Sequence, residues 1–129
     1  MSRTFVAFLE LVLLGAACGP ASAHHGVSGY DSQHPIVLRG SVTAFAWENP
    51  HVQIDLDAKD DNGNVQHWAC IGASPNGMSK FGWTRDSLKP GDQVALGLLP
   101  SKNGEHTGVF VKVLRNGELV GDSKRQPDR

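Results

Sequence analysis

The sequence lacks the features that mark several common classes of protein. It has two cysteines in 129 residues, a formal net charge of −1, and no block of Lys and Arg along the chain. Proteins that bind nucleic acid usually carry a clear excess of Lys and Arg, so we expect no nucleic-acid partner. No Gly-x-Ser-x-Gly elbow, phosphate loop, paired Cys-x-x-Cys or His-Glu-x-x-His motif is present. The sequence therefore does not predict an enzyme.

A long hydrophobic run is also lacking. The apolar segment Phe5 to Ala17 is shorter than the roughly 20 residues of a transmembrane helix. Arg3 precedes it and the small-x-small sequence Ala21-Ser22-Ala23 follows, which is typical of a cleaved signal peptide. We predict a signal peptide over residues 1–23 and a periplasmic or secreted mature protein that is not stably inserted in the membrane. The alternative is a lipoprotein modified at Cys18, but the residue three before that cysteine is not the usual bulky aliphatic one.

Cleavage after residue 23 would leave Cys70 as the cysteine of the mature chain, so no internal disulfide could form. Because Cys70 lies in a strand-like run, we expect it to be a small buried hydrophobic residue. A thiolate ligand for a metal is the alternative.

The mature chain has the pattern of a small all-β domain. A polar segment, residues 24–35, ends in His34-Pro35 and is predicted to be an extended arm. Predicted strands and turns then occupy residues 36–121, and the charged segment 122–129 is predicted to be frayed. The predicted strands cover residues 36–47, 51–58, 65–71, 93–99 and 108–114, with an additional short strand ending near Val120.

Individual residues within and between these strands predict a bend, a turn and a short helix. Gly40 is a natural point for the long first strand to bend, and Asn62-Gly63 predicts a hairpin between the second and third strands. Ser74-Pro75 predicts the start of a short helix that runs to about Phe81. Three strands, a helix and two strands, in that order, predict a small five-stranded OB-fold-like barrel. A plain small β-barrel or sandwich is the alternative.

Four motifs extend over most of the mature chain: His24-His25, Asn49-Pro50-His51, Ala73-Ser74-Pro75-Asn76, and the segment Gly82 to Asp92, which reads Gly-Trp-Thr-Arg-Asp-Ser-Leu-Lys-Pro-Gly-Asp. With them the chain resembles an uncharacterised family of small exported bacterial proteins, a domain of unknown function. The resemblance implies an exported small domain and no particular activity. Ile71 stands where the family often carries an acidic residue, so a site that used that carboxylate would be altered here.

His24 and His25 are the strongest candidates for metal ligands. After cleavage behind Ala23, the free amine and the ring of His24 can chelate one metal ion together. Cu(II) favours such nitrogen-rich sites. Cleavage one residue earlier would place His25 third from the amine, which also suits Cu(II). In the alternative interpretation the two histidines lie in an exposed, flexible terminus and bind no metal.

A third nitrogen ligand could come from His25, His34, His51 or His106, and we favour His51, which starts the second strand. The alternative role for His51 is a hydrogen bond to the Asn49-Pro50 turn. We expect His67 to be half-buried and structural, and the acidic residues near the hairpin to form a solvated strand face. The three tryptophans are expected in the core.

The functional prediction is an exported protein that binds copper through His24, His25 and His51. The alternative is an exported interaction or ligand-binding module with an unknown protein or small-molecule partner.

Overall fold

The computed structural model describes residues 27–121. The predicted signal peptide, His24, His25 and the charged tail lie outside the described residues. After a single 3-10 turn, Val27–Gly29, the elements follow in this order: β1 (Ile36–Ala46), β2 (Gln53–Lys59), β3 (Val65–Ile71), α1 (Pro75–Ser79), β4 (Gln93–Pro100), β5 (Thr107–Arg115) and β6 (Glu118–Leu119).

Five of the strands close into a barrel. Strand β1 pairs with β2 and β4, β2 pairs with β3, and β4 pairs with β5, all antiparallel. Parallel pairing of β3 with β5 at Ala69–Thr107, Cys70–Gly108 and Ile71–Val109 closes the ring, and β6 adds a short strand to the free edge of β5. The prediction of a small five-stranded all-β barrel with one short helix is confirmed.

Strand β1 serves two neighbours because it is long and bent. Its first half, Ile36 to Ser41, pairs with β4, and its second half, Gly40 to Ala46, pairs with β2. A β-carbon at Gly40 would collide with the main-chain carbonyl of Asp57, so only glycine lets the two strands approach there. An irregularity between Val42 and Ala44 adds a further local change of register.

The hairpin of β2 and β3 follows its sequence pattern. Val52, Ile54, Leu56 and Ala58 are all buried, as their alternation predicts. In the turn, the Asp60 carboxylate accepts hydrogen bonds from the main-chain N–H groups of Asn62 and Asn64, both at 2.9 Å. Gly63 has a φ of 82°, which glycine adopts without steric cost.

Helix α1 starts where the sequence predicts and ends two residues earlier than expected. The Ser74 side chain accepts a hydrogen bond from the Gly77 N–H at 3.1 Å and caps the helix, with Pro75 in its first turn. Among the described residues, none of the helices is both long enough and apolar enough to cross a bilayer.

The core lies inside the barrel and under α1. Its fully buried members come from every barrel strand or from the segment before β2: Val42, Val52, Ile54, Leu56, Cys70, Leu96, Leu98 and Val113. Trp83 and Phe110 are each 7% exposed, and their ring centroids lie 6.0 Å apart at the edge of this core. Trp47 and Trp68 are partly buried and pack against it.

Candidate functional site

The segment that follows His24-His25 is fixed to one end of the barrel. Tyr30 forms an isolated antiparallel bridge with Ser101 in the turn between β4 and β5. Lys102 donates its main-chain N–H to the Gly29 carbonyl at 3.0 Å and its Nζ to the Ser28 carbonyl at 2.9 Å. These bonds hold residues 28–30, the first part of the described chain, against the β4–β5 turn.

A concave space of about 820 Å³ opens beside the docked segment, and we call it the arm cleft. Residues 28–30, His51 and residues 71–73 line it, together with residues 101–103 and 105 of the β4–β5 turn. Thr107 and Val109 of β5 also line it. The cleft therefore straddles the outer surface of the β3–β5 seam.

His51 is exposed and lies two residues before β2, immediately after the cis Asn49–Pro50 peptide bond. Its Nδ1 lies 3.1 Å from the carbonyl oxygen of Gly72. A carbonyl only accepts hydrogen bonds, so Nδ1 carries the hydrogen and donates it. In the neutral ring the lone pair is then on Nε2. The hydrogen-bond partner predicted in the alternative interpretation, the Asn49-Pro50 turn, was wrong: it is Gly72, at the end of β3.

The other described histidines have different surroundings, and none of them lines the arm cleft. His34 bonds to Asp31 at 2.9 Å, and this hydrogen bond is the main cause that lowers the pKa of the Asp31 carboxyl. His106 stacks on Trp68 with ring centroids 4.8 Å apart.

His67 pairs with Asp57 across the outer face of β2 and β3. Its side chain is 83% exposed, so the prediction of a half-buried His67 was wrong. Alternation groups His67 with Val65, Ala69 and Ile71, but within residues 27–121 no other element covers the outer face at its position.

Over residues 27–121, no three or more His, Cys, Asp or Glu side chains come together as a metal-binding group. His51 is the histidine that the described part of the chain places in the arm cleft. Cys70 is fully buried, and burial is the main cause that raises the pKa of its thiol to about 12. A thiol that resists ionisation is a poor metal ligand.

Sequence reasoning missed three features of the arm cleft. Lys102 anchors the docked segment, Glu105 lines the cleft, and Gly72 orients the His51 ring. Glu105 is held by its main-chain N–H, which donates to the Asn103 side chain at 2.9 Å. No local sequence signal identifies the roles of Lys102 and Gly72, because each depends on a contact between distant segments.

Comparison with known proteins gives a family and a weak structural likeness. A model of a family of unknown function, DUF6152, matches residues 12–111. No curated protein matches the chain. Among solved structures, the chain is similar to Rim1, the mitochondrial single-stranded DNA binding protein of S. cerevisiae, with 8% sequence identity over 70% of this chain and 97% of that one. The TM-score is 0.44, too low to support any argument about function.

Proposed function

This chain belongs to the DUF6152 family, a family of unknown function, and we propose that it is an exported, periplasmic or secreted metal-binding protein. The metal is Cu(II). Its primary ligands are the amine and ring of His24 at the mature amino terminus, and His25 and His51 complete the site.

The observation that carries this proposal is the orientation of His51. Metal-binding histidines commonly donate their second ring nitrogen to a carbonyl or carboxylate, which fixes the tautomer and the direction of the ring. The bond from Nδ1 to the Gly72 carbonyl has this form. It leaves Nε2 available as a ligand on a side chain that lines the arm cleft.

The short length of chain between the terminal histidines and Ser28 supports His51 as a further ligand. Ser28 and Tyr30 line the same cleft as His51, and His25 is three residues before Ser28. An extended chain covers at most about 3.3–3.6 Å per residue, so His25 can lie no more than about 10 Å from Ser28. This short tether supports a shared site for the terminal histidines and His51.

The ligand chemistry favours Cu(II). A terminal amine with two or three imidazoles is a nitrogen-rich set, and Cu(II) stands at the top of the affinity order for such divalent ions. The amine and the imidazoles must lose their protons before they bind, so we expect copper affinity to fall as the pH is lowered.

The experiment starts with the intact mass of the protein purified from the periplasm, which defines the first residue. Cu(II) is then titrated into the mature protein and into His24→Ala and His51→Ala. His67→Ala is the matched control, because His67 is an exposed histidine of β3 that pairs with Asp57 and does not line the arm cleft. We expect one tightly bound copper in the wild type and the control, a large loss of affinity in His24→Ala, and a smaller loss in His51→Ala.

Two results would overturn the proposal. One is a mature chain that does not start at residue 24. The other is a copper affinity in His24→Ala that equals that of the His67→Ala control. Unchanged affinity in His51→Ala alone would remove His51 from the site but leave the terminal chelate.

A further inference from the structure

A second concave space, beside α1 and β6, shares the lining residue Ala73 with the arm cleft. Its volume is about 480 Å³, within the range of about 300–1,000 Å³ of small-molecule sites. Its walls come from helix α1 and the segment after it, from the second half of β5, and from residues 119–121. We call it the apolar cleft.

The floor of the apolar cleft is made of large apolar side chains at the edge of the core. Met78, Trp83 and Phe110 all line it, and each is 7% exposed. The rim carries Val111, which is 64% exposed, and Leu119, which is 40% exposed. This apolar surface is concave, continuous with the core and open to water. Covering it with an apolar group lowers the free energy, because apolar area is removed from water.

One charged residue, Lys112, is present among the described residues that line this cleft. Lys112 is exposed and forms no ion pair with a carboxylate of the described chain. The nearby Glu118 does not line the cleft and stands opposite Arg115 in the β5–β6 register. The cleft therefore combines an apolar interior with one positive charge at its edge.

We propose that the apolar cleft binds a free medium-chain carboxylate, with the alkyl chain on Trp83 and Phe110 and the carboxylate beside Lys112. The charge complementarity at Lys112 selects an anionic head group over a neutral or cationic one. The residues that follow Gly121 are Asp-Ser-Lys-Arg-Gln-Pro-Asp-Arg, which contain no apolar side chain except proline, so this segment does not match the apolar floor. This inference is independent of the copper proposal, since the two clefts use different ligand chemistry.

The test uses three probes with the same chain length: decanoate, decanol and decyltrimethylammonium. Each is titrated below its micelle concentration into the mature protein and followed by calorimetry and by two-dimensional amide NMR. We expect saturable binding of one decanoate, with perturbed amides at Val111, Lys112 and residues 119–121, and weaker binding of the other two probes. Lys112→Glu should weaken decanoate binding by about fivefold and strengthen binding of the cation.

The matched control is Lys59→Glu, which reverses an exposed charge at the end of β2, outside the apolar cleft. It should leave decanoate binding unchanged. Equal effects of the two substitutions would overturn the proposal, as would perturbed amides at His51 and Glu105 instead of the apolar cleft. Absence of binding by all three probes would also overturn it, and is the result expected if residues 122–129 or a second copy of the chain cover the cleft. The molar mass from sedimentation equilibrium then shows whether the protein is a dimer, which would identify a second copy as the occupant of the cleft.

Discussion

Gly72 offers a sharp test of how tightly the barrel end is packed. Its φ is not in the left-handed region, so alanine can adopt the same backbone. The obstacle is space. A β-carbon at residue 72 would lie 2.8 Å from Cε2 and 2.9 Å from Cε1 of Phe110, and it would also collide with Cζ. All three of its nearest atoms are therefore on one aromatic ring.

We expect Gly72→Ala to lower the free energy of unfolding by about 1–3 kcal/mol, the usual cost of overpacking. Phe110→Leu removes the three ring atoms in question, because leucine has no equivalents of Cε1, Cε2 and Cζ. By itself Phe110→Leu should lower the free energy of unfolding by about 1–3 kcal/mol, between the usual costs of a buried Ile→Val and a buried Phe→Ala change. In the double variant, the alanine at 72 should cost almost nothing, so the coupling energy nearly equals the effect of Gly72→Ala alone.

The assay is urea unfolding followed by tryptophan fluorescence and circular dichroism on all four members of the cycle. Gly97→Ala is the control, because its nearest contact would be Lys112 Cβ at 3.4 Å, an ordinary packing distance. It should change the free energy of unfolding by less than about 0.5 kcal/mol. If Gly72→Ala costs as much in the Phe110→Leu background as in the wild type, the clash with the ring is not its cause.

Two further predictions concern pH. Burial raises the pKa of the Cys70 thiol from 9.0 to about 12. Folding therefore favours the neutral thiol. Its contribution to stability is present below pH 9 and is lost as the pH rises toward 12. Native protein at pH 8 should therefore resist thiol labelling that is rapid in denaturant, and fast labelling of the native protein would contradict this. A hydrogen bond from Gln66, and bonds from Asn64 and Asn62, lower the pKa of the Asp60 carboxyl below 3.8. The contribution of this carboxylate to stability is present above that pH and is lost as the pH falls below it. Asp60→Asn should therefore reduce the fall in the free energy of unfolding between pH 5 and pH 2. An unchanged fall would exclude Asp60 as a cause.

The strands and turns could be predicted because their signals are local. Alternation over residues 52–58 identifies the buried face of β2, and Asn62-Gly63 and Ser74-Pro75 identify a turn and a helix start within a few residues of chain. The element order then predicted the barrel. Its closure by parallel pairing of β3 with β5 joins segments almost forty residues apart, and no local pattern specifies that register.

The candidate site was harder to predict for the same reason. The bond of His51 is to Gly72, 21 residues along the chain, and the docking of residues 28–30 depends on Lys102, 74 residues from Ser28. The exposure of His67 shows a related limit. A period of two assigns residues to a common face, but whether that face meets water depends on what packs against it.

The two clefts share one lining residue, and this decides which substitutions can separate the two proposed binding activities. Ala73 lines both of them. The segment is held to the core, because the Gly72 N–H donates to the Val52 carbonyl at 2.8 Å and the Val52 N–H donates to the Ala73 carbonyl at 2.9 Å. A change at residue 72 or 73 would therefore alter the His51 side and the Phe110 side together, and its effect could be assigned to neither. Substitutions at His51 and Lys112 each change one side chain that lines a single cleft, so a loss of copper binding or of decanoate binding can be attributed to its own site.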